Sequence, residues 1–275
     1  MDLDQLWDFT QPAVSESRFR AALAETGDPV DAVILRTQLA RSLGLQGRFD
    51  EGFVELDSAQ ADLDSARPEL SRPVPAGDAG ASAAEAQVRI RLERGRLFRS
   101  SDQPDLAVPH FEDALALSQE AGIDHLAADA AHMLAIVGSP EEQLERSAAA
   151  LSLASASADP RARRWIGPIE NNLGWTLHGL DRHDEALAAF ERALASYEAE
   201  GDPERIRIAR WTVARGLRAV DRLPEALAIQ RDLEANGPAD GYVHEELAEL
   251  LAALGQPEEA ERQAERAREL LGGDG

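Results

Sequence analysis

The run Leu173-Gly174, followed by Asp184-Glu185-Ala186-Leu187 and then Phe190-Glu191-Arg192-Ala193-Leu194, decides the architecture. Counted from Gly174, small residues recur 12 and 19 positions on, at Ala186 and Ala193. Two antiparallel helices approach closely only where side chains are small, so a glycine on one helix must face small residues on the helix that returns beside it. The spacing predicts a helical hairpin, with Gly174 on its first helix and both alanines on its second.

The same frame slides along the chain. It fits Ala40, Gly52 and Ala59, then Gly95, Ala107 and Ala114, and then Ala248, Ala260 and Ala267. It fits less well at Ala131, Gln143 and Ala150, and at Ala214, Ala226 and Leu233. Turn and second-helix signatures accompany it: Gly47-Arg48-Phe49-Asp50-Glu51, Leu223-Pro224-Glu225-Ala226, and Pro140 and Pro257 at expected helix starts, where a missing N–H costs nothing. Over residues 33–274 these motifs closely resemble tetratricopeptide repeats (TPR). The resemblance implies an all-α superhelix of helix-turn-helix repeats that holds partners in a concave groove. The equivalent positions 40, 95, 131, 174, 214 and 248 lie 55, 36, 43, 40 and 34 residues apart, whereas the minimal repeat is 34 residues. The excess follows the second helices, as in kinesin light chains and bacterial peptide-sensing regulators.

This frame divides the chain into capping helices (1–32), a first repeat (33–66), a flexible insertion (67–87) and five further repeats (88–121, 124–157, 167–200, 207–240 and 241–274), the last including a cap. The Pro-, Ala-, Gly- and Ser-rich run from Asp64 to Ala84 carries the insertion. Phe19 and Ala22 have second-helix spacing and form a half repeat, against which Trp7 is expected to pack. Charge along Glu258 to Leu271 suits a terminal helix that no neighbour covers.

Composition narrows the function. A hydrophobic content of 44%, with 29% charged and 5% aromatic residues, describes a folded, water-soluble helical chain. No run is long and apolar enough to span a membrane, and Met1 to Thr10 is acidic where a secretory leader would be basic, so a cytoplasmic protein is expected. The net charge of -23 opposes binding to nucleic acid or anionic lipid. Cysteine is absent, which excludes disulfides and thiolate chemistry, and all 28 basic residues are arginine. No phosphate-cradling loop, nucleophile elbow or metalloprotease motif occurs, and His244-Glu245-Glu246 resembles the last only superficially. No enzyme activity, cofactor or metal site is expected. His125 and His132 share a helix face but lack further ligands.

In the TPR frame, positions 2, 5, 9 and 12 of each first helix line the groove. They read Ile34, Thr37, Arg41 and Gly44; Arg89, Leu92, Arg96 and Arg99; and His125, Ala128, His132 and Ala135. The later repeats give Asn171, Trp175 and His178; Ile208, Trp211, Arg215 and Arg218; and Tyr242, Glu245 and Glu249. Asn172 matches the asparagine with which many TPR grooves hold a peptide backbone. The expected groove residues are therefore Arg41, Arg89, Arg96, Arg99, His132, Asn171, Asn172, Trp175, His178, Trp211, Arg215 and Arg218. Arginine concentrated along one face suggests an anionic partner, since its planar fork matches carboxylates. The other reading pairs these arginines with acids of neighbouring helices, as expected for Arg36, Arg91 and Arg210. Trp165 is assigned to packing, Trp175 and Trp211 to the groove. The favoured function is a scaffold holding a protein or peptide, with an acidic or C-terminal segment running from Arg41 to Arg218. A receptor for a small anion or signalling peptide is the alternative, and single-stranded RNA binding the least favoured.

Overall fold

The computed structural model describes residues 2–70 and 79–272. The chain forms two compact units, Met1–Trp165 and Ile166–Gly275. After a 3-10 turn at Asp4–Leu6, the first unit comprises α1 (Pro12–Glu25), α2 (Pro29–Gly44), α3 (Phe49–Leu70), α4 (Ala79–Ser100), α5 (Pro104–Glu120), α6 (Asp124–Ala135), α7 (Pro140–Ala156) and the single turn α8 (Pro160–Arg163). The second comprises α9 (Ile166–Gly179), α10 (His183–Glu200), α11 (Pro203–Ala219), α12 (Leu223–Asn236), α13 (Gly241–Ala253) and α14 (Pro257–Leu271). Among the described residues helix is the only extended regular structure. Consecutive helices pair as hairpins, α2 with α3, α4 with α5 and α6 with α7, then α9 with α10, α11 with α12 and α13 with α14. Within each unit the second helix also packs on the next first helix, as between α5 and α6 or α10 and α11.

A backbone feature fixes the repeat frame independently of the small residues. Gly47, Asp102, Gly138, Asp181, Asp221 and Gly255 all have positive φ, between 57° and 92°, and each lies seven residues after the small residue of its first helix. The left-handed region costs glycine nothing and is tolerated by aspartate, and just those two residues fill the column. It reverses the chain within three or four residues. Helix α7 then starts on a capping box, in which Ser139 accepts from the Glu142 N–H while Glu142 accepts from the Ser139 N–H, and at the starts of α3, α10 and α12 Arg48, Arg182 and Arg222 pair with Glu51, Glu185 and Glu225 three residues on.

The core explains the small positions. Ala40, Ala59, Ala107, Ala114, Ala186 and Ala193 are wholly buried. A Cβ built on Gly95 would lie 2.4 Å from Phe111, and one on Gly174 would lie 2.4 Å from Phe190. Both rings come from the second helix, four residues after its first buried alanine. The glycine is thus demanded by the ring that closes on it, with the alanines bringing the helices near enough for that contact.

Two boundaries differ from the expected ones. Helix α3 continues to Leu70 and α4 begins at Ala79, so helices enter the stretch 67–87 from both sides; residues 71–78 lie outside the described residues. Leu56, Ala59, Leu63 and Ala66 carry one buried stripe along α3 up to the nominal end of the repeat. Helix α11 begins at Pro203, four residues before the expected 207, because the Asp202 side chain accepts from the N–H groups of Glu204 and Arg205.

Candidate partner-binding faces

In the second unit the first helices α9, α11 and α13 bring three aromatic rings into a row. Trp175 and Trp211 lie 6.2 Å apart between ring centroids, and Trp211 and Tyr242 lie 6.3 Å apart. Trp175 is seated edge-on against Phe190, and Trp211 donates its indole N–H to the Tyr242 carbonyl at 3.1 Å, so both indoles are fixed from behind. Tyr242 is 57% exposed, and Ile208 also reaches solvent. The guanidinium carbon of Arg215 stands 5.6 Å from the Trp175 ring and 5.4 Å from the Trp211 ring, within cation–π range of both.

Glu246 of α13 organises the charge beneath this row. Only 1% exposed, it receives two hydrogen bonds from Arg218, at 2.5 and 3.1 Å, and a looser contact from Arg215 at 3.8 Å. The hydrogen bonds to Glu246 outweigh burial and raise the pKa of Arg218. Arg215 keeps its Nε buried without a hydrogen-bond partner. The half-buried Asn171 and Asn172 side chains make no hydrogen bond among the described residues. His178 packs edge-on against Trp175 and beside His183; burial, then the charges of His183, Arg215 and Arg218, lower its pKa.

In the first unit the arginines are more firmly held. Arg96 bonds Glu93 on its own helix at 2.5 Å and reaches Asp129 on α6 in a very short contact. Glu93 and Asp129 are both buried. Burial alone would lower the pKa of Arg96, but the two carboxylates outweigh it and raise it, and Arg96 in turn holds Asp129 below the usual carboxylate range against the opposing effect of burial. Arg41 approaches Glu93 at 3.9 Å, and Arg89 bonds Glu85 one turn earlier at 2.8 Å. Of the arginines expected in the groove, Arg99 alone makes no ion pair among the described residues, and it is exposed. His132 is buried under Trp165, whose ring lies 4.9 Å away, and burial lowers its pKa to about 4. A neutral, covered imidazole is part of the packing, so the expectation that His132 faces a partner does not match its position; Trp165 packs as expected.

A family model for the tetratricopeptide repeat matches residues 171–200, the hairpin of α9 and α10. The chain has the tetratricopeptide-repeat fold. Solved structures share the TPR fold across both units. A STAND protein with a tetratricopeptide repeat sensor, from Pyrococcus horikoshii, has a TM-score of 0.68 at 12% identity, covering 94% of this chain and 38% of that one. The chain thus spans well under half the length of that protein. The apo form of RapI aligns with a TM-score of 0.56 at 13% identity, covering 94% and 91% of the two chains. The apo quorum sensor NprR from B. thuringiensis aligns with a TM-score of 0.53 at 12% identity, covering 96% and 83%. No curated protein sequence matches the chain.

Within the TPR frame, the expected groove residues fall into two sets: Arg41, Arg89, Arg96, Arg99 and His132 in the first unit, and Asn171, Asn172, Trp175, His178, Trp211, Arg215 and Arg218 in the second. The expected inter-helix pairs form, Arg36 with Glu55 and Asp62, Arg91 with Asp113, and Arg210 with Asp232. Sequence reading passed over the residues two before the small position, Gln38, Glu93, Asp129, Thr212 and Glu246, all of them buried. The acids among them, Glu93, Asp129 and Glu246, are the partners of Arg41, Arg96, Arg215 and Arg218. Their signal was the acid three residues before an arginine or histidine, Glu93 before Arg96 and Asp129 before His132. Among the described residues no group of three or more His, Asp or Glu side chains is placed to hold a metal ion, and no helix is long and apolar enough to cross a membrane.

Proposed function

We propose that this protein is a non-enzymatic binding module, and that the first-helix face of its second unit holds an extended, acidic segment of a partner protein. The observation that carries the reading is the row of Trp175, Trp211 and Tyr242 with Arg215 lying over both indoles. Ring separations of 6.2 and 6.3 Å correspond to about two residues of extended chain, which rises roughly 3.1–3.4 Å per residue. Alternate side chains of such a segment would drop between successive rings. The amides of Asn171 and Asn172, each with a donor and an acceptor to offer, would serve its backbone. Arg215 would supply the charge-assisted bond to a ligand carboxylate, because its contact with Glu246 is long and its Nε lacks a partner. Two structures that share the fold are described as sensors, one of them for quorum sensing, which accords with a ligand-holding role.

The test is selection from a randomised peptide library on the immobilised full chain, followed by titration while tryptophan emission is read. Enriched sequences should be extended and acidic, should shift the emission of Trp175 and Trp211, and should weaken only modestly with salt. Arg215→Glu should lower affinity by about tenfold or more, the loss of one charge-assisted bond compounded by repulsion, while the protein melts near the wild-type temperature. No enrichment, or unchanged affinity in the folded variant, would refute the reading. Binding that collapses steeply with salt and requires RNA would replace it.

A further inference from the structure

Residues 3–9, Leu-Asp-Gln-Leu-Trp-Asp-Phe, lie against α2 on positions that belong to the candidate binding face. Trp7 is in extended backbone, so its side chain and that of Phe9, two residues on, share one side. The two rings stack at 4.6 Å with 4° between their planes. The Trp7 indole N–H donates to Gln38 Oε1 at 3.1 Å, and the guanidinium carbon of Arg41 stands 5.5 Å from each ring centroid. Leu3 and Leu6 pack on the buried apolar residues below, and Ser15 ties the segment down through Asp8, its hydroxyl accepting from the Asp8 N–H.

Position by position, this repeats the arrangement in the second unit. Gln38 lies two residues before the small residue Ala40 and Arg41 one after it; Asn172 lies two before Gly174, and Arg215 one after Ala214. In both places an arginine covers a pair of aromatic rings. In the second unit both rings belong to the repeats, whereas at Arg41 they arrive on a segment outside any repeat. None of residues 2–10 is buried, and Phe9 is 59% exposed, whereas Gln38 beneath them is buried. The segment is held by the partly covered Leu3, Leu6, Trp7 and Asp8 while its remaining residues are exposed, which places it among the elements that open more readily than the fully buried helices.

We propose that Gln38, Arg41 and the adjoining apolar surface of α2 form a second peptide site, selective for an extended Trp-x-Phe segment, and that residues 3–9 are its cis occupant, displaced when a partner presents the same two rings. Trp is favoured because an indole joins a large flat face for Arg41 to an N–H donor for Gln38, which Phe lacks. The long 3.9 Å contact of Arg41 with Glu93 leaves the guanidinium plane to the rings.

The probe is a fluorescently labelled peptide with the sequence of residues 2–11, added to the full chain and followed by polarisation. Wild-type protein should bind it weakly, because the cis segment competes at high effective concentration. Trp7→Ala/Phe9→Ala should bind it about tenfold tighter or more, and adding Arg41→Glu to that variant should remove the gain. Circular dichroism establishes that the variants are folded. A second measurement needs no destabilising change: wild-type protein carrying 5-fluorotryptophan shows signals from its four tryptophans, and the Trp7 signal, identified by its loss in Trp7→Phe, should shift as unlabelled peptide is added. Equal affinity of wild type and double variant together with an unmoved Trp7 signal would overturn the proposal. So would retention of the gain after Arg41→Glu, or a wild-type dimer that dissociates in the double variant, which would place the segment on a second copy.

Discussion

Arg96→Gln removes one cation from between two buried carboxylates and leaves a shorter, neutral amide in its place. Asp129 then loses its ion pair, and Glu93, only 2% exposed, keeps only the long 3.9 Å contact with Arg41. Breaking a buried ion pair by deleting one member costs about 3–5 kcal/mol, and partial relief by protonation favours the lower figure. For a unit of 165 residues, about 3 kcal/mol corresponds to a melting shift of about 6–12 °C. The loss depends on pH with a definite sign. In the wild type, Arg96 holds the Asp129 pKa below its ordinary 3.8, so the stabilisation is fully present above about pH 4 and fades only as the pH falls through the lowered value. In the variant, burial is opposed only by the charges of Arg41 and His132, and the Asp129 pKa rises, so Asp129 takes up its proton at higher pH than in the wild type. His132, which Arg96 also keeps neutral, gains its proton more readily beside Asp129. The gap between wild type and variant should therefore shrink between pH 7 and pH 5. Thermal melts by circular dichroism at the two pH values measure it. A loss below about 2 °C at pH 7, or a gap that holds or widens at pH 5, would refute the assignment of Arg96 to structure.

Two further outcomes follow from the packing. In Gly174→Ala the new methyl would sit 2.4 Å from the buried Phe190 ring, so an overpacking cost of about 1–3 kcal/mol should exceed the gain of up to about 1 kcal/mol from replacing a helical glycine, while Gly179→Ala, with nothing within 4 Å, should melt at or above the wild-type temperature in the same chemical denaturation series. His132→Phe keeps a ring against Trp165 and removes the titrating nitrogens; because the wild-type imidazole titrates at about 4 when folded and near 6.5 when unfolded, wild-type stability should fall by up to about 3 kcal/mol from pH 6.5 to pH 4, and the variant should fall by less over that window in differential scanning calorimetry.

The fold was legible because its constraint is local and periodic. Gly174, Ala186 and Ala193 are fixed by how closely two helices approach, and that requirement leaves small residues at set separations. The left-handed turn column from Gly47 to Gly255 was equally available in the sequence, since only Gly or Asp stands there, although it emerges clearly only once the backbone angles align the repeats. The site was less legible. Which of 51 acids serves each arginine depends on contacts between successive hairpins, and sequence spacing does not encode them. Asp129 is 33 residues from Arg96, and Glu246 is 28 from Arg218. Trp165 covers His132 from outside any repeat, so no periodicity could have indicated that the histidine is covered. Trp7 was expected at the end of the array, but its bond to Gln38 and its place under Arg41 are tertiary facts.

The same contacts decide which arginine can be given up to a ligand. A buried carboxylate must keep a partner, since its desolvation is repaid only by charge and hydrogen bonds. A ligand acid that drew Arg96 away would orphan Asp129, which among the described residues has its ion pair with Arg96 alone, and the binding energy would be spent on that loss. Arg215 differs. If it turned toward a ligand, Glu246 would retain both hydrogen bonds from Arg218, and Arg215 would leave behind only a 3.8 Å contact while its aliphatic stem stayed near the indoles. Two arginines share one acid there, so one of them is available at little cost. An acidic protein can thus present a cation to an acidic partner: it over-supplies arginine at a single buried glutamate and flanks the surplus with tryptophan, which holds a guanidinium in place without neutralising it.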